Sequence, residues 1–191
     1  YEKIAAISNS YNVKSHSIPK DAKGILVNEL ENSGADVVHI SPSHHFPTGI
    51  VTPISRRYEL LGWAAASANR YIIEDDYDSE FRLTGKPIPS LQSMDITQKV
   101  IYINTFTKSL SSTMRISYMV LPPELANRFL EQLSFYSCTV SNFEQYALMR
   151  FINEGYFEKH INRMRNFYHK QRDILLDAIK RSAPKLAKKY A

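Results

Sequence analysis

The sequence has a single cysteine, no long apolar run and no glycine-rich phosphate loop, and each lack removes a class of protein. A lone Cys138 excludes an internal disulfide framework and suits a reducing cytoplasm. No apolar stretch is long enough to span a bilayer, and the opening YEKIAAISNSYN lacks the design of a signal peptide. The segment TFTKS lacks the paired glycines of a nucleotide P-loop. The acidic run Glu74, Asp75, Asp76, Asp78, Glu80 lacks the glycine and the spacing of a calcium loop, so no metal is expected there. His44 and His45 are adjacent and cannot readily ligate one ion from one face; local hydrogen bonding is expected of them instead. No internal repeat, low-complexity segment, flexible linker or DNA-binding motif is visible.

What is present describes a globular protein. The 191 residues are 43% hydrophobic and 23% charged, enough for a substantial core in one domain or one and a fraction. The charge of +5 and pI near 9.2 permit attraction to polyanions. Lys and Arg are spread along the chain, however, and thicken only after Lys159, as on the solvated face of an amphipathic helix.

In chain order, residues 1–10 read as the last turns of a helix, and 12–19 (NVKSHSIP) as an extended piece. Asp21 to Ser33 reads as a short amphipathic helix carrying Ile25, Leu26 and Leu30, after a Lys-Asp-Ala-Lys-Gly turn, and Asp36 to Ile40 as a compact buried strand. Pro53 opens a helix with Leu60, Leu61, Ala64, Ala65 and Ala68 on one face. Strand, helix and strand alternate, which argues a parallel sheet with right-handed crossovers, and Arg115 to Leu121 is expected to add a further buried strand. Pro122 and Pro123 start a helix to about Ser134. Ser141, with Glu144 three residues on, caps a helix that runs to Asn153 and stops at Gly155. The last helix spans Phe157 to Lys180, with a seam of Ile161, Met164, Tyr168, Leu175 and Ile179.

The centre of the chain is Tyr71 to Pro123. Two strand-like runs, Tyr71 to Ile73 and Val100 to Ile103, each end in polar residues, EDDYD and NTFTKS. Parallel strands present their carboxyl ends at one edge, where ligands bind, so Asp75, Tyr77 and Lys108 are expected in one crevice. A carboxylate can hold a pyridinium charge and a Lys can condense with an aldehyde, while Thr105, Thr107 and Arg115 offer hydroxyls and a guanidinium fork to a phosphate. That set describes a site for pyridoxal 5'-phosphate (PLP).

EDDYDSEF, the TFTK run with Arg115 seven residues after its Lys, and SPSHHFPTG at Ser41 to Gly49 together resemble the aminotransferase-like domain of MocR-type regulators in the GntR family. The resemblance covers nearly all of the chain. It implies an α/β fold, the fold-type I PLP-dependent transferase large domain, with a mostly parallel sheet flanked by helices. Residues 1–154 would be part of that domain, and 155–191 an interdomain helix and the start of a small C-terminal domain. It further implies Lys108 as the Schiff-base Lys, Asp75 against the pyridine nitrogen, Tyr77 on the ring hydroxyl, and Arg115, Thr107 and Thr105 on the phosphate. The expected setting is a cytoplasmic homodimer with an amino acid or PLP as effector. DNA would be bound through a winged helix-turn-helix domain absent from this chain.

The departures are specific. Related aminotransferases write HNPTG where this chain reads HHFPTG, which leaves the ring-hydroxyl contact to Tyr77 alone. Threonines stand at 105 and 107 where Ser is frequent, and Thr113 and Ser117 replace Gly. The family also draws a phosphate-binding helix N-terminus and a ring-stacking aromatic from before residue 1, and a substrate-carboxylate Arg from beyond 191. The isolated chain is therefore expected to bind PLP weakly and to show no transaminase activity. A PLP sensor, a working aminotransferase and a dimerisation scaffold with a vestigial site are the three readings these residues allow.

Overall fold

The computed structural model describes residues 2–81 and 88–182. Residues 183–191, read above as the beginning of a further domain, lie outside that range. The chain forms helix α1 (Glu2–Ser10), a hairpin of β1 (Lys20–Asp21) and β2 (Gly24–Ile25), α2 (Val27–Asn32), β3 (Val37–Ile40), α3 (Ile54–Ala65) and β4 (Tyr71–Asp75). A 3-10 turn at Ser79–Phe81 follows, then α4 (Leu91–Met94), β5 (Val100–Thr105), α5 (Phe106–Ser109), β6 (Ser117–Val120), α6 (Pro123–Leu133), α7 (Asn142–Asn153) and α8 (Tyr156–Ser182).

The larger sheet has the order β3-β4-β5-β6. β3 and β4 are parallel, with Val37 opposite Tyr71 and Ile40 opposite Glu74. β4 and β5 are parallel too: Ile72 N donates to Lys99 O and Asp76 N to Ile103 O, a partner 27 residues on each time. Both β4 and β5 run further than their apolar residues suggest, through Asp75 and Thr105, because the ladder continues after the hydrophobic run ends.

Two compact units divide the residues. The first comprises Tyr1–Asp75, Ile88–Tyr102 and Val120–Pro123. Its core is Leu30, Val38, Ile40, Leu60, Leu61, Trp63, Ala64, Ile72, Leu91 and Val100. Val38 and Ile40 of β3 are buried in the core, and on the other face His39 is half-buried while Val37 is 50% exposed. The expectation of a compact buried strand is corrected at Val37, the one exposed residue in this period of two. In α3 the buried set is Arg56, Arg57, Leu60, Leu61, Trp63 and Ala64. Ala65 is exposed and Ala68 lies past the helix end, because 57, 60, 61 and 64 complete the inward stripe at helical spacing.

The turn expected at Lys20 to Gly24 is present, as the turn of the β1–β2 hairpin, whereas the helix expected from Asp21 begins only at Val27. The Asp21 carboxylate accepts from Lys23 N at 2.7 Å, an Asx turn that competes with helix. Gly24 holds φ +111, and a Cβ there would meet Thr52 Oγ1 at 2.9 Å. The turn therefore requires glycine.

The second unit comprises Asp76–Pro87, Ile103–Met119 and Glu124–Ala191. α6 starts at Pro123 as expected, and α7 is capped as expected: Ser141 Oγ accepts from Glu144 N at 3.2 Å and donates to Glu144 Oε2 at 2.9 Å. Gly155, at φ +75, ends α7 and turns the chain into α8. Of the seam expected on α8, Ile161 is buried and Met164 and Ile179 are half-buried, while Tyr168 and Leu175 are exposed. A helical stripe is buried only where another element covers it, and here α7 and the Ser79–Phe81 turn pack against α8. The strand expected to be buried at 115–121 is likewise corrected. Ile116 is buried, but Ser117, Tyr118, Met119 and Val120 are all exposed, because β6 is the last strand in the order. No helix among the described residues is long and apolar enough to cross a membrane.

Candidate functional site

Asp75 is the last residue of β4 and belongs to the first unit. Its Oδ2 lies 3.3 Å from His39 Nε2, and both side chains are largely buried, at 19% and 25% relative exposure. Register explains the pair. His39 is opposite Ile73, so its side chain shares a face with Ile73 and Asp75, while Ile40 shares the other face with Glu74. His39 escaped the sequence reading because one imidazole inside a hydrophobic strand carries no motif; only strand pairing reveals it.

On the opposite face Glu74 is fully buried, and its carboxylate accepts from Leu91 N and Gln92 N, both at 2.9 Å. The acidic run read along the sequence is thereby split by the alternation of a strand. Among the described residues no cluster of His, Cys, Asp or Glu is arranged to hold a metal ion.

The histidine loop is held locally. His45 N donates to Ile50 O at 3.0 Å, and the ring lies 2.8 Å (Nδ1) from Thr48 Oγ1 and 3.3 Å (Nε2) from Lys20 Nζ. Burial, and then the Lys20 charge, lower the His45 pKa. A neutral ring accepting from an ammonium at Nε2 carries its proton on Nδ1, and so donates to Thr48.

The second unit holds Tyr77, Thr105, Thr107, Lys108 and Arg115. Tyr77 is half-buried on the turn that follows β4. Thr105 caps α5 by accepting from Thr107 N at 3.2 Å, and α5 is a single turn with Lys108 in its last positions. The strand end and the segment carrying Arg115 are laced together. Phe106 N donates to Ile116 O at 2.9 Å, Thr107 Oγ1 to Met114 O at 2.8 Å, and Thr105 Oγ1 lies 3.3 Å from Ile116 O. Arg115 is bracketed by two of these acceptors. Its guanidinium and the Lys108 amine are both exposed, and neither has an ion-pair partner among the described residues.

Taken unit by unit, the donors fit parts of a phosphorylated aromatic aldehyde in kind: in the second, an exposed amine suits an aldehyde and an exposed guanidinium a phosphate; in the first, a carboxylate beside an imidazole suits a cationic ring nitrogen. The threonines fit less directly. Their hydroxyls already hold the backbone on either side of Arg115, and Thr107 would have to leave Met114 O to donate to a phosphate.

Beside Tyr77, Glu80 Oε1 accepts from Asn104 Nδ2 at 3.3 Å, while Oε2 is buried with no hydrogen-bond partner among the described residues. Burial, aided by the charges of Asp76 and Asp78, pushes its pKa up despite two opposing hydrogen bonds. A carboxyl with a raised folded pKa contributes fully to stability below the ordinary glutamate range. That contribution is lost as pH rises through the folded value. Glu80→Gln is therefore expected to raise Tm at pH 7, with the gain vanishing as pH falls below the ordinary glutamate range. Melting curves across pH check this, and a lower Tm at pH 7 would contradict it.

No family model matches the chain. Among solved structures it superposes on kynurenine aminotransferase of Pyrococcus horikoshii, determined with PMP and its substrates and products, with a TM-score of 0.83 and 31% identity over 94% of this chain and 46% of that one. The fold is that of the large domain of fold-type I PLP-dependent aminotransferases. Among curated proteins it is 48% identical over 164 residues to the uncharacterized HTH-type transcriptional regulator YdeL of Bacillus subtilis, 86% of this chain and 35% of that protein. It is 34% identical over 164 residues to the probable rhizopine catabolism regulatory protein MocR of Rhizobium meliloti, 86% of this chain and 33% of that protein. The chain is thus an aminotransferase-like domain homologous to those of MocR-type HTH regulators, and it spans about a third of the length of these relatives.

Proposed function

We propose that this chain is the PLP-binding sensor domain of a MocR-type transcriptional regulator. The observation that carries the reading is 48% identity, over 86% of the chain, to an HTH-type regulator, joined to an aminotransferase fold. In this reading Lys108 supplies the amine that holds the cofactor, and Asp75, steadied by His39, keeps a positive charge on the ring nitrogen. Arg115, Thr105 and Thr107 hold the phosphate, and Tyr77 the ring hydroxyl. When bound, PLP supplies an aldehyde and an electron-withdrawing ring. The protein's own residues bind, orient and set its charge. DNA is held by a helix-turn-helix domain outside this chain, in a cytoplasmic homodimer, with an amino acid or PLP as effector. Residues 1–154 form part of the large domain and 155–191 lead towards a smaller one.

A second reading, a working aminotransferase, is favoured by 30% identity over 177 residues to aromatic-amino-acid aminotransferase 1 of Thermococcus litoralis. One experiment separates the two. The full-length protein is mixed with DNA from upstream of its own gene, with and without PLP and amino acids, and tested in parallel for turnover of amino acids with 2-oxo acids. DNA binding that responds to the ligands, without turnover, supports the sensor. Turnover without DNA binding supports the enzyme.

A further inference from the structure

One buried ion pair takes no part in the roles above. Arg57 of α3 and Glu74 of β4 are both fully buried, with Arg57 Nη1 3.6 Å from Glu74 Oε1. Arg57 donates through Nε to Thr52 O at 3.0 Å, through Nη1 to Pro89 O at 2.9 Å, and through Nη2 to Pro42 O at 3.1 Å. Glu74 accepts from the backbone of Leu91 and Gln92. Two charged side chains thereby satisfy five backbone groups, all outside any strand and drawn from two separate segments.

A buried pair is weak evidence for stability, because desolvating both ions offsets much of their attraction. What this pair supplies is placement. Pro42 and Thr52 close the two ends of the segment containing HHFPTG, and Thr52 N donates back to Pro42 O at 2.9 Å. Pro89, Leu91 and Gln92 are the approach to α4 and its first turn. Glu74 immediately precedes Asp75 and points to the opposite face of β4, so anchoring one side chain sets the backbone from which the other departs.

We propose that Arg57 and Glu74 are positioning residues for the cofactor. They fix the end of β4, and with it the Asp75 carboxylate, against the 42–52 segment. The inference rests on the reading that Asp75 takes the ring nitrogen. A displaced carboxylate holds less of the ring charge, so both the affinity and the protonation of bound PLP should change.

The test uses the full-length protein and PLP. Affinity, the absorbance of bound PLP across pH, and borohydride labelling of Lys108 are measured for the parent, Glu74→Gln, Arg57→Lys and Glu59→Gln. Glu59 pairs with the neighbouring Arg56 and is 52% exposed, so Glu59→Gln should match the parent. Glu74→Gln and Arg57→Lys should each bind PLP about tenfold more weakly and shift the pH profile of its absorbance, with Lys108 still labelled. Parent-like affinity and pH profile in both folded variants would overturn the proposal and leave the PLP reading standing. If one variant does not fold, the other decides. If neither folds, the pair is a requirement of the fold and the positioning role is refuted. A parent protein that binds no PLP overturns the sensor reading and this inference with it.

Discussion

Borohydride reduction of the full-length protein with PLP is expected to leave a phosphopyridoxyl group on the peptide carrying Lys108, and Lys108→Ala to abolish it. The reasoning combines chemistry and exposure. A Lys buried among apolar groups, or tied in an ion pair, has no amine to offer an aldehyde, whereas Lys108 is exposed at the end of the one-turn helix α5. The segment beneath it is held by three contacts between 105–107 and 114–116, so the amine sits on a fixed base. Peptide mass mapping reads the result. Label found only on other lysines would remove Lys108 from the site.

The second large effect is expected from Asp75→Asn. Replacing the carboxylate leaves a neutral amide that cannot compensate a pyridinium, and a hydrogen bond to a charged group contributes about 1.5 to 3 kcal/mol. PLP affinity should fall roughly ten- to hundredfold, with a changed absorbance spectrum. Asp76→Asn is the informative comparison. Asp76 is only 6% exposed and its backbone N–H completes the β4–β5 ladder, so its substitution should act on stability and leave the spectrum of bound PLP close to the parent's. Equal spectral effects from the two changes would show that the wrong aspartate has been assigned. Titration by absorbance, with melting curves in parallel, makes the distinction.

Helices announced themselves through local chemistry. Ser141 with Glu144 marks the start of α7, Gly155 its end and the prolines at 122 and 123 the start of α6, because caps and breakers act within a few residues of where they stand. The Asp21 to Ser33 segment divides the same way: the turn at Lys20 to Gly24 is legible in its residues, but the helix starts only at Val27, and the Thr52 that crowds Gly24 is far off in sequence.

Candidate residues divide in the same way. The order EDDYD, TFTK and Arg115 was legible along the chain, since the residue types alone state what chemistry is on offer. Which carboxylate does what was not legible. Five acids lie within seven residues, and strand alternation turns Glu74 towards Arg57 and Asp75 towards His39. Nor could composition show that the hydroxyls of Thr105 and Thr107 are engaged with the backbone around Arg115. By itself the sequence determined the alternation of strands and helices, the caps, and the chemical inventory of the centre, all set by neighbours within a turn or two. Only the tertiary structure decided the face each acid takes, the partners of His39 and Arg57, and the exposure of β6. Those depend on strand register and on what packs against a surface, and both are settled by residues tens of positions away.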